Sequence, residues 1–340
     1  MWHKKFCSVW IGAMLLSIFF PFISIVVDPY NVFHWNNIRY NGIEPNKNYI
    51  KTKYILHNPN KYDSFLFGSS RVGVIHTEKL NSVRAYNMTY SEGIPVEHLW
   101  NIQTFLRNNI VVKKIYIGID DILLYAKAKE HEMQHLRSQY EFAQSNFWGF
   151  AKMYVFSPRM IAGSLRHYKI SGTSSEVEQI YKNGWWGDYD QKSNYDWSQV
   201  KSVQRTNTVI NTAIFAETLK SMREIKQICD ANNIELVVFT NPTYRTTYIS
   251  GLNKGYIEFL RELVKTTNFY NLSGLNDITI NRENYYETSH YKANVGDMII
   301  DVIHNNKRFD KLYEQGFGWY VTQDNIEKLL NLIDVKEGDY

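Results

Sequence analysis

The sequence has few cysteines, no long run of charges of one sign and no internal repeat. Its two cysteines are Cys7, inside an apolar N-terminal segment, and Cys229, so an internal disulfide framework is excluded. The 38 Lys and Arg residues are scattered among 34 Asp and Glu residues, which leaves a net charge of +4. This pattern lacks the basic stripe of nucleic-acid-binding proteins, so we expect no nucleic-acid partner. The 340 residues have room for one large domain or at most two.

Charge is also missing from Phe6–Val27, a stretch long enough to cross a bilayer. Lys4 and Lys5 precede it, and this positive flank predicts an N-terminus in the cytoplasm. A cleavable signal peptide is the alternative, but no clear small-residue cleavage site follows the apolar core. The sequence therefore predicts an uncleaved single-pass membrane anchor over residues 1–27. Everything after Asp28 then lies outside the cytoplasm, either at a Gram-positive cell surface or in a periplasm.

Short apolar runs alternate with amphipathic, helix-compatible stretches over residues 61–305. Such alternation predicts an α/β domain with a doubly wound parallel sheet. Residues 28–60 are polar and read as a juxtamembrane lead-in, and residues 306–340 as a C-terminal tail with an amphipathic helix. The stretch of about 125–211 is less regular and rich in aromatic residues, so we interpret it as an insertion over the carboxyl end of the sheet.

The first motif that carries chemistry is a short β-forming run, Ser64–Phe67, followed directly by Gly68-Ser69-Ser70-Arg71. This pattern predicts a strand, a tight turn and the start of a short helix. Reactive side chains and ligands collect at the carboxyl ends of strands in open parallel sheets, so Ser70 is a candidate nucleophile. The alternative is that the Gly-Ser-Ser sequence is ordinary turn and helix-capping chemistry.

The second motif places a carboxylate, Glu287, three residues before a histidine, His290. A serine becomes nucleophilic when a base takes its proton, and an imidazole serves best when a carboxylate orients it. Taken alone, a Glu-x-x-His pattern is common and often structural. An early strand-Gly-Ser-Ser motif combined with a late acid-x-x-His-Tyr motif is far more specific than either half.

In this order the two motifs resemble those of the SGNH (GDSL-like) hydrolase superfamily. They are most similar to its membrane-anchored, extracytoplasmic branch, which includes the D-alanyl-transfer protein of teichoic acid synthesis and peptidoglycan O-acetyltransferases. The resemblance implies a flavodoxin-like, three-layer α/β/α fold and no cofactor. It also implies that Ser70 is the nucleophile, His290 the general base and then general acid, and Glu287 the carboxylate that orients His290.

The same resemblance points to the oxyanion hole. Its backbone donors are expected at Ser70 and at Gly93, the glycine after the second strand, with Ser91 as the alternative to Gly93. A polar turn that caps the next helix is the other interpretation of this segment. The third motif of the superfamily, Gly-x-Asn-Asp, corresponds to residues 118–121, where Asp120 replaces the asparagine. Because an ionised carboxylate accepts hydrogen bonds and does not donate them, we expect Asp120 to orient a substrate or to hold a loop.

Three further residues are candidates for substrate binding. Arg71 follows the predicted nucleophile, and Trp185 and Trp186 stand in an aromatic cluster within a polar setting. Tryptophan rings offer flat apolar faces that suit sugar rings. The alternative is that Trp185 and Trp186 attach the insertion to the core, because large aromatic side chains usually pack.

A competing motif lies in Ala126–Tyr140, which we predict to be a charged surface helix. Within it, His131, Glu132 and His135 fit the His-Glu-x-x-His pattern of zinc metalloproteases. A catalytic zinc needs a third protein ligand and a sheltered site, and no downstream residue is an obvious third ligand. We therefore expect no metal site here.

The sequence as a whole predicts extracytoplasmic, serine-dependent transfer of an acyl group, acetyl or D-alanyl, to or from a cell-envelope polysaccharide. The resemblance implies a teichoic-acid-like or other surface polysaccharide as acceptor, and a multi-pass membrane O-acyltransferase as partner. A simple carbohydrate esterase is one alternative, since the same acyl-enzyme can react with water. A non-catalytic polysaccharide-binding or scaffold protein is the other. It is favoured by Asp120 and by Glu287, which stands where the superfamily usually has aspartate.

Overall fold

The computed structural model describes residues 2–34, 43–81, 83–167, 175–186 and 195–335. Its strands are β1 Ser64–Phe67, β2 Ala85–Asn87, β3 Lys114–Ile119, β4 Glu235–Thr240, β5 Phe269–Asn271 and β6 Trp319–Val321. They form one sheet in the order β2-β1-β3-β4-β5-β6. Strands β1 to β5 are parallel, and β6 is antiparallel to β5. The predicted α/β class with a mostly parallel sheet is therefore confirmed.

Helices connect the strands and precede the sheet. They are α1 Trp2–Val27, α2 Lys47–His57, α3 Pro95–Arg107, α4 Ala128–Glu132, α5 Tyr140–Ser145, α6 Phe147–Tyr154, α7 Pro158–His167, α8 Ser175–Ile180, α9 Thr212–Ala231, α10 Arg245–Leu252, α11 Tyr256–Leu263, α12 Ala293–Ile303, α13 Asp310–Glu314 and α14 Ile326–Ile333. The short helix expected after β1 is instead a 3-10 helix, Ser70–Val74.

Helices cover both faces of the sheet. In β1, Phe65 and Phe67 belong to a core cluster that includes residues of α3, α9, α11 and α14. Leu66, between them, belongs to a second cluster with residues of α12. Side chains alternate between the faces because a strand has a two-residue period. The arrangement is compatible with the predicted three-layer α/β/α fold.

Segments on either side of the predicted catalytic domain also contribute to its core. In α2, part of the predicted lead-in, Tyr54 packs in the main core cluster. The buried ammonium group of Lys51 donates to three backbone oxygens, those of Asn87, Thr89 and Gly184, at 2.7–3.0 Å. At the other end of the chain, β6 extends the sheet, and α14 packs on the same core as Tyr54.

The N-terminal helix α1 contains Lys5–Val27, 23 residues with a mean hydropathy of 2.3. This segment is long and apolar enough to cross a membrane, which is consistent with single-pass anchoring. Most of its side chains are exposed, whereas Ser24 and Val27 near its end are buried. Helix α7 contacts α1.

Candidate functional site

The candidate site lies where β1 and β3 end side by side in the sheet. From β1 the chain proceeds to β2 on one side, and β3 lies on the other side of β1. In open α/β sheets, ligands bind at such a reversal of strand order, at the carboxyl ends of the strands. Ser70 follows β1 directly at this edge, and Asp120 and Asp121 follow β3.

Three of the predicted site residues form a chain of hydrogen bonds. The Nε2 atom of His290 lies 2.7 Å from the Oγ of Ser70, although the two residues are 220 positions apart. On the other side of the ring, Nδ1 of His290 hydrogen bonds to Oε1 of Glu287. The side chains of His290 and Glu287 are 19% and 29% exposed, so the group is accessible from solvent. This is the order of contacts that serine nucleophiles use.

The loop that carries His290 is held on both sides. Tyr285 and Tyr291 form an antiparallel bridge, and the N–H of Tyr286 donates to the carbonyl of His290 at 2.9 Å. The hydroxyl of Tyr285 donates to the carbonyl of Pro242 at 2.7 Å, and that of Tyr291 to Oδ1 of Asn241 at 2.9 Å. The position of His290 is therefore tied to the chain that follows β4.

The surroundings of Glu287 favour its ionised form. Burial raises its pKa, but the hydrogen bond and charge of His290 and the N–H of Ser289 together lower the pKa below its usual value. That N–H donates to Oε2 at 2.8 Å, while Oε1 faces the imidazole. The two carboxylate oxygens thus have different partners, and the longer side chain of a glutamate still reaches His290.

Arg71 joins the end of β3 to the loop of His290. It is buried, with one guanidinium nitrogen 2.8 Å from Asp120 and 2.9 Å from Asp121. Its Nε donates to the carbonyl of Ser289 at 3.0 Å, and a terminal nitrogen donates to the hydroxyl of Ser289 at 3.1 Å. Burial lowers the pKa of Arg71, but the charges of Asp120 and Asp121 raise it above its ordinary value. Arg71 therefore positions the loop, and it also lines a neighbouring cleft.

Asp120 holds the turn that presents Ser70. One carboxylate oxygen accepts from the hydroxyl of Ser69 at 2.6 Å and from the amide of Asn241 at 3.2 Å. The other accepts from the N–H of Ile122 at 3.0 Å. These contacts hold the turns after β1, β3 and β4 together, which fits the loop-holding role that we expected for Asp120.

Gly93 and Ser91 have partners away from Ser70. The N–H of Gly93 is 3.3 Å from the carbonyl of Tyr90, to which it donates, and the hydroxyl of Ser91 donates to Glu44 at 2.7 Å. A Cβ atom added at Gly93 would lie only 2.4 Å from the carbonyl oxygen of Gly68. The close approach of the loop after β2 to the loop after β1 therefore requires a glycine at position 93. The structure thus gives Gly93 a packing role. The oxyanion role of Gly93 stays a prediction.

This chain matches no protein-family model. It also has no significant match among curated proteins. The likeness to the SGNH superfamily therefore depends on the motifs around Ser70 and His290.

Trp185 and Trp186 pack against the segment that follows Ser70. The ring of Trp185 stacks on His76 with centroids 5.0 Å apart, and the N–H of Trp186 donates to the carbonyl of Gly73 at 2.9 Å. The ammonium group of Lys47 lies 3.1 Å from the centre of the Trp186 ring. These contacts favour the alternative in which the pair attaches the insertion to the domain. The rest of the aromatic cluster, residues 187–190, lies outside the described residues.

A cleft of 430 Å³ lies beside the triad, and no motif in the sequence marks it. Arg71, Thr288 and Ser289 line the side nearest His290. The remainder is polar and aromatic, and its lining includes Tyr125, Tyr195, Thr246, Thr247, Ser250 and Lys254. The only sequence signal for these residues is their position after β3 and β4, at the carboxyl edge of the sheet.

The His-Glu-x-x-His motif does not form a metal site among the described residues. Nδ1 of His131 lies 2.9 Å from Glu97, and its Nε2 lies 3.4 Å from Glu92. Nε2 of His135 instead lies 2.9 Å from the carbonyl of Met153. The predicted surface helix is wrong beyond Glu132, where the observed helix ends. Both histidines are buried, and they bind different elements: His131 contacts Glu97 of α3, and His135 contacts Met153 of α6.

Proposed function

We propose that this protein is a membrane-anchored, SGNH-like enzyme that transfers an acyl group by way of an ester on Ser70. The observation that carries the proposal is the 2.7 Å contact between Ser70 Oγ and His290 Nε2, with Glu287 on the opposite nitrogen. The site also lies at the edge of the sheet where α/β enzymes bind ligands. The membrane anchor and its positive N-terminal flank support a domain outside the cytoplasm.

In the first half-reaction, Ser70 Oγ attacks the carbonyl carbon of an ester donor while His290 Nε2 takes its proton. The bond from that carbon to the leaving alcohol oxygen then breaks, and His290 returns the proton to the alcohol. In the second half-reaction, His290 takes a proton from an acceptor hydroxyl or from water. The resulting oxygen attacks the acyl group, and Ser70 is restored with its proton. Glu287 holds the Nδ1–H of His290 and stabilises the imidazolium form.

The oxyanion that forms in each half-reaction needs donors close to Ser70. We assign one of them to the N–H of Ser70, because Ser70 begins the 3-10 helix Ser70–Val74, and the first amides of a helix have no acceptor within it.

The cleft beside the triad supports a polyhydroxylated acceptor. Tyr125 and Tyr195 are partly exposed, at 43% and 39%, and the lining also includes three side-chain hydroxyls from α10. Aromatic faces next to hydrogen-bonding groups suit sugar rings. We therefore propose an envelope polysaccharide as acceptor, with acetyl or D-alanyl as the acyl group and a multi-pass O-acyltransferase as the supplier.

Intact-mass analysis of the full chain in detergent, after reaction with a fluorophosphonate, tests the nucleophile. We expect a single adduct on the wild type and on Ser91→Ala, a control that removes a hydroxyl bonded to Glu44 and not to the triad. Ser70→Ala and His290→Ala should carry none. An adduct of equal yield on Ser70→Ala would contradict the assignment. No adduct on folded wild type would favour the non-catalytic polysaccharide-binding or scaffold alternative.

The acceptor is tested separately with 4-nitrophenyl acetate as donor, with and without envelope oligosaccharides. A transferase yields acetylated oligosaccharide at the expense of free acetate. A simple carbohydrate esterase yields only free acetate, and added oligosaccharide leaves its rate of nitrophenol release unchanged. Ser70→Ala is the control for both products.

A further inference from the structure

Helices α6 and α7 expose an unusual set of large apolar side chains. Phe147 is 65% exposed, Trp148 77%, Phe156 in the link between the helices 55% and Leu165 42%. Single exposed apolar residues are normal on protein surfaces, but several within 19 consecutive positions indicate an interaction surface.

This pair of helices lies at the point where α1 ends. Helix α7 contacts α1, and a Cβ atom added at Gly163 would lie 3.8 Å from the ring of Pro29, two residues after α1. Helix α6 packs on the same exit segment, since the ring centroids of Phe150 and Phe33 are 6.2 Å apart. The two helices that carry the exposed apolar set are therefore packed against the end of α1 and the segment that follows it.

The length of α1 determines the depth at which α6 and α7 lie relative to a bilayer. At about 1.5 Å per residue, the 23 residues of Lys5–Val27 extend slightly beyond the ~30 Å of hydrocarbon in a bilayer. The buried Ser24 and Val27 then lie at the outer boundary of the hydrocarbon, where α1 is covered by protein. Helix α7, which contacts α1 and approaches Pro29 at Gly163, then lies at the level of the lipid headgroups.

The charges on the same helices complement anionic lipid. A cleft of 530 Å³ next to Tyr30 is lined by Arg159, Arg166 and His167. Arg159 and Arg166 are seven residues apart, so they lie on one face of α7. Neither has a carboxylate partner among the ion pairs of the described residues, and the same holds for Lys152 on α6. Arginine forks bind phosphate oxygens in a bidentate manner.

We infer that α6 and α7 form a second membrane-binding surface, at which Arg159 and Arg166 bind the phosphate of an anionic phospholipid while Trp148, Phe156 and Leu165 enter the outer acyl layer. Interfacial helices combine basic residues with Trp, Phe and Leu in this way. This surface binds the domain to the bilayer. The distance of the Ser70 site from the membrane is then fixed by two contacts, the α1 span and the α6–α7 surface. This inference depends on α1 crossing the bilayer and is independent of the chemistry at Ser70.

Depth-dependent fluorescence quenching on the full chain in lipid nanodiscs tests the inference. A fluorophore is attached to Trp148→Cys or Phe156→Cys in a Cys7→Ala background. Cys229 is buried and its thiol pKa is raised to about 12, so it does not compete for the label. Val209→Cys, at an equally exposed apolar position outside α6 and α7, is the matched control. Labelling Cys7 itself, in the otherwise unchanged chain, reports whether α1 lies in the bilayer.

We expect lipids with a spin label near the headgroup to quench the fluorophore at positions 148 and 156 several-fold more than at position 209. Replacing both Arg159 and Arg166 by Gln should reduce this quenching in phosphatidylglycerol discs and leave it nearly unchanged in phosphatidylcholine discs. Quenching at Cys7 combined with control-level quenching at 148 and 156 would overturn the inference. Equal effects of the arginine substitutions in the two lipids would overturn the anionic-lipid part.

Discussion

The carboxylate of Asp120 accepts a hydrogen bond from the hydroxyl of Ser69 at 2.6 Å, one residue before the proposed nucleophile. This contact joins the ends of β1 and β3. The same oxygen accepts from Asn241 after β4, and the other oxygen faces Arg71. A single side chain thus connects three neighbouring strands at the edge of the sheet where the candidate site lies.

Asp120→Asn is expected to lower the free energy of unfolding by about 1–3 kcal/mol, because the buried Arg71 loses one of its two carboxylate partners. Urea unfolding followed by tryptophan fluorescence measures the change. Lys79→Ala, which removes an exposed ion pair with Asp297, is the control and should have an effect below about 1 kcal/mol. An unchanged unfolding midpoint for Asp120→Asn would show that Asp120 does not hold the turn.

Glu287→Gln is expected to slow fluorophosphonate labelling of Ser70 by about 10²–10⁴-fold, because an amide neither orients His290 in the required tautomer nor stabilises its charged form. The rate is measured by intact mass over time at neutral pH. Glu283→Gln, at an exposed glutamate four residues earlier, is the matched control and should label at the wild-type rate. Equal rates for the two variants would remove Glu287 from the triad.

Gly93→Ala is expected to slow labelling of Ser70 and to destabilise the domain by about 1–3 kcal/mol, since the new methyl group would overlap a backbone oxygen. The overlap is with Gly68 O, at 2.4 Å from the added Cβ. Gly163→Ala is the control, because its Cβ would find its nearest neighbour at 3.6 Å. Thermal unfolding and labelling rates are measured on both variants. If they behave alike, the close approach of the two loops is not required.

His131 is expected to make the stability of the domain depend on pH. Burial lowers its pKa, but Glu92 and Glu97 raise it to about 9, against 6.5 for an unperturbed histidine. Because the folded state holds this proton more tightly, the stabilisation is fully present below pH 6.5 and is lost as the pH rises toward 9. The loss is about 3 kcal/mol, because the pKa rises from 6.5 to about 9 and each tenfold change in proton affinity corresponds to about 1.4 kcal/mol.

Urea unfolding at pH 6 and pH 9 checks this prediction. His131→Gln should remove most of the difference in unfolding free energy between the two pH values. His57→Gln, at an exposed histidine of α2, should retain the difference. A wild type that is equally stable at both pH values would contradict the charged state of His131.

Local patterns predicted much of the fold. The apolar run Ser64–Phe67 predicted β1, and the alternation of apolar runs with amphipathic stretches predicted the α/β class. The apolar length of Phe6–Val27 predicted an N-terminal helix long enough to cross a membrane. Strand β6 was not predicted, because it lies in the stretch that was interpreted as a C-terminal tail. Only its antiparallel pairing with β5 makes this short segment a strand. The predicted helix over 126–140 ended early because buried partners outweighed local propensity.

Within the site, the sequence alone determined which residues have the right chemistry: a serine after a strand, and a carboxylate and a histidine on one turn. The tertiary structure decided which partner each side chain has. Asp120 meets Asn241 across 121 positions, and Arg71 meets Ser289 across 218, because the sheet order brings the carboxyl ends of separate strands to one edge. The roles of Gly93, Trp185 and His131 depend on such long-range contacts. Spacing along a chain describes neighbours within one element, whereas hydrogen bonds between elements exist only after the strands have been ordered.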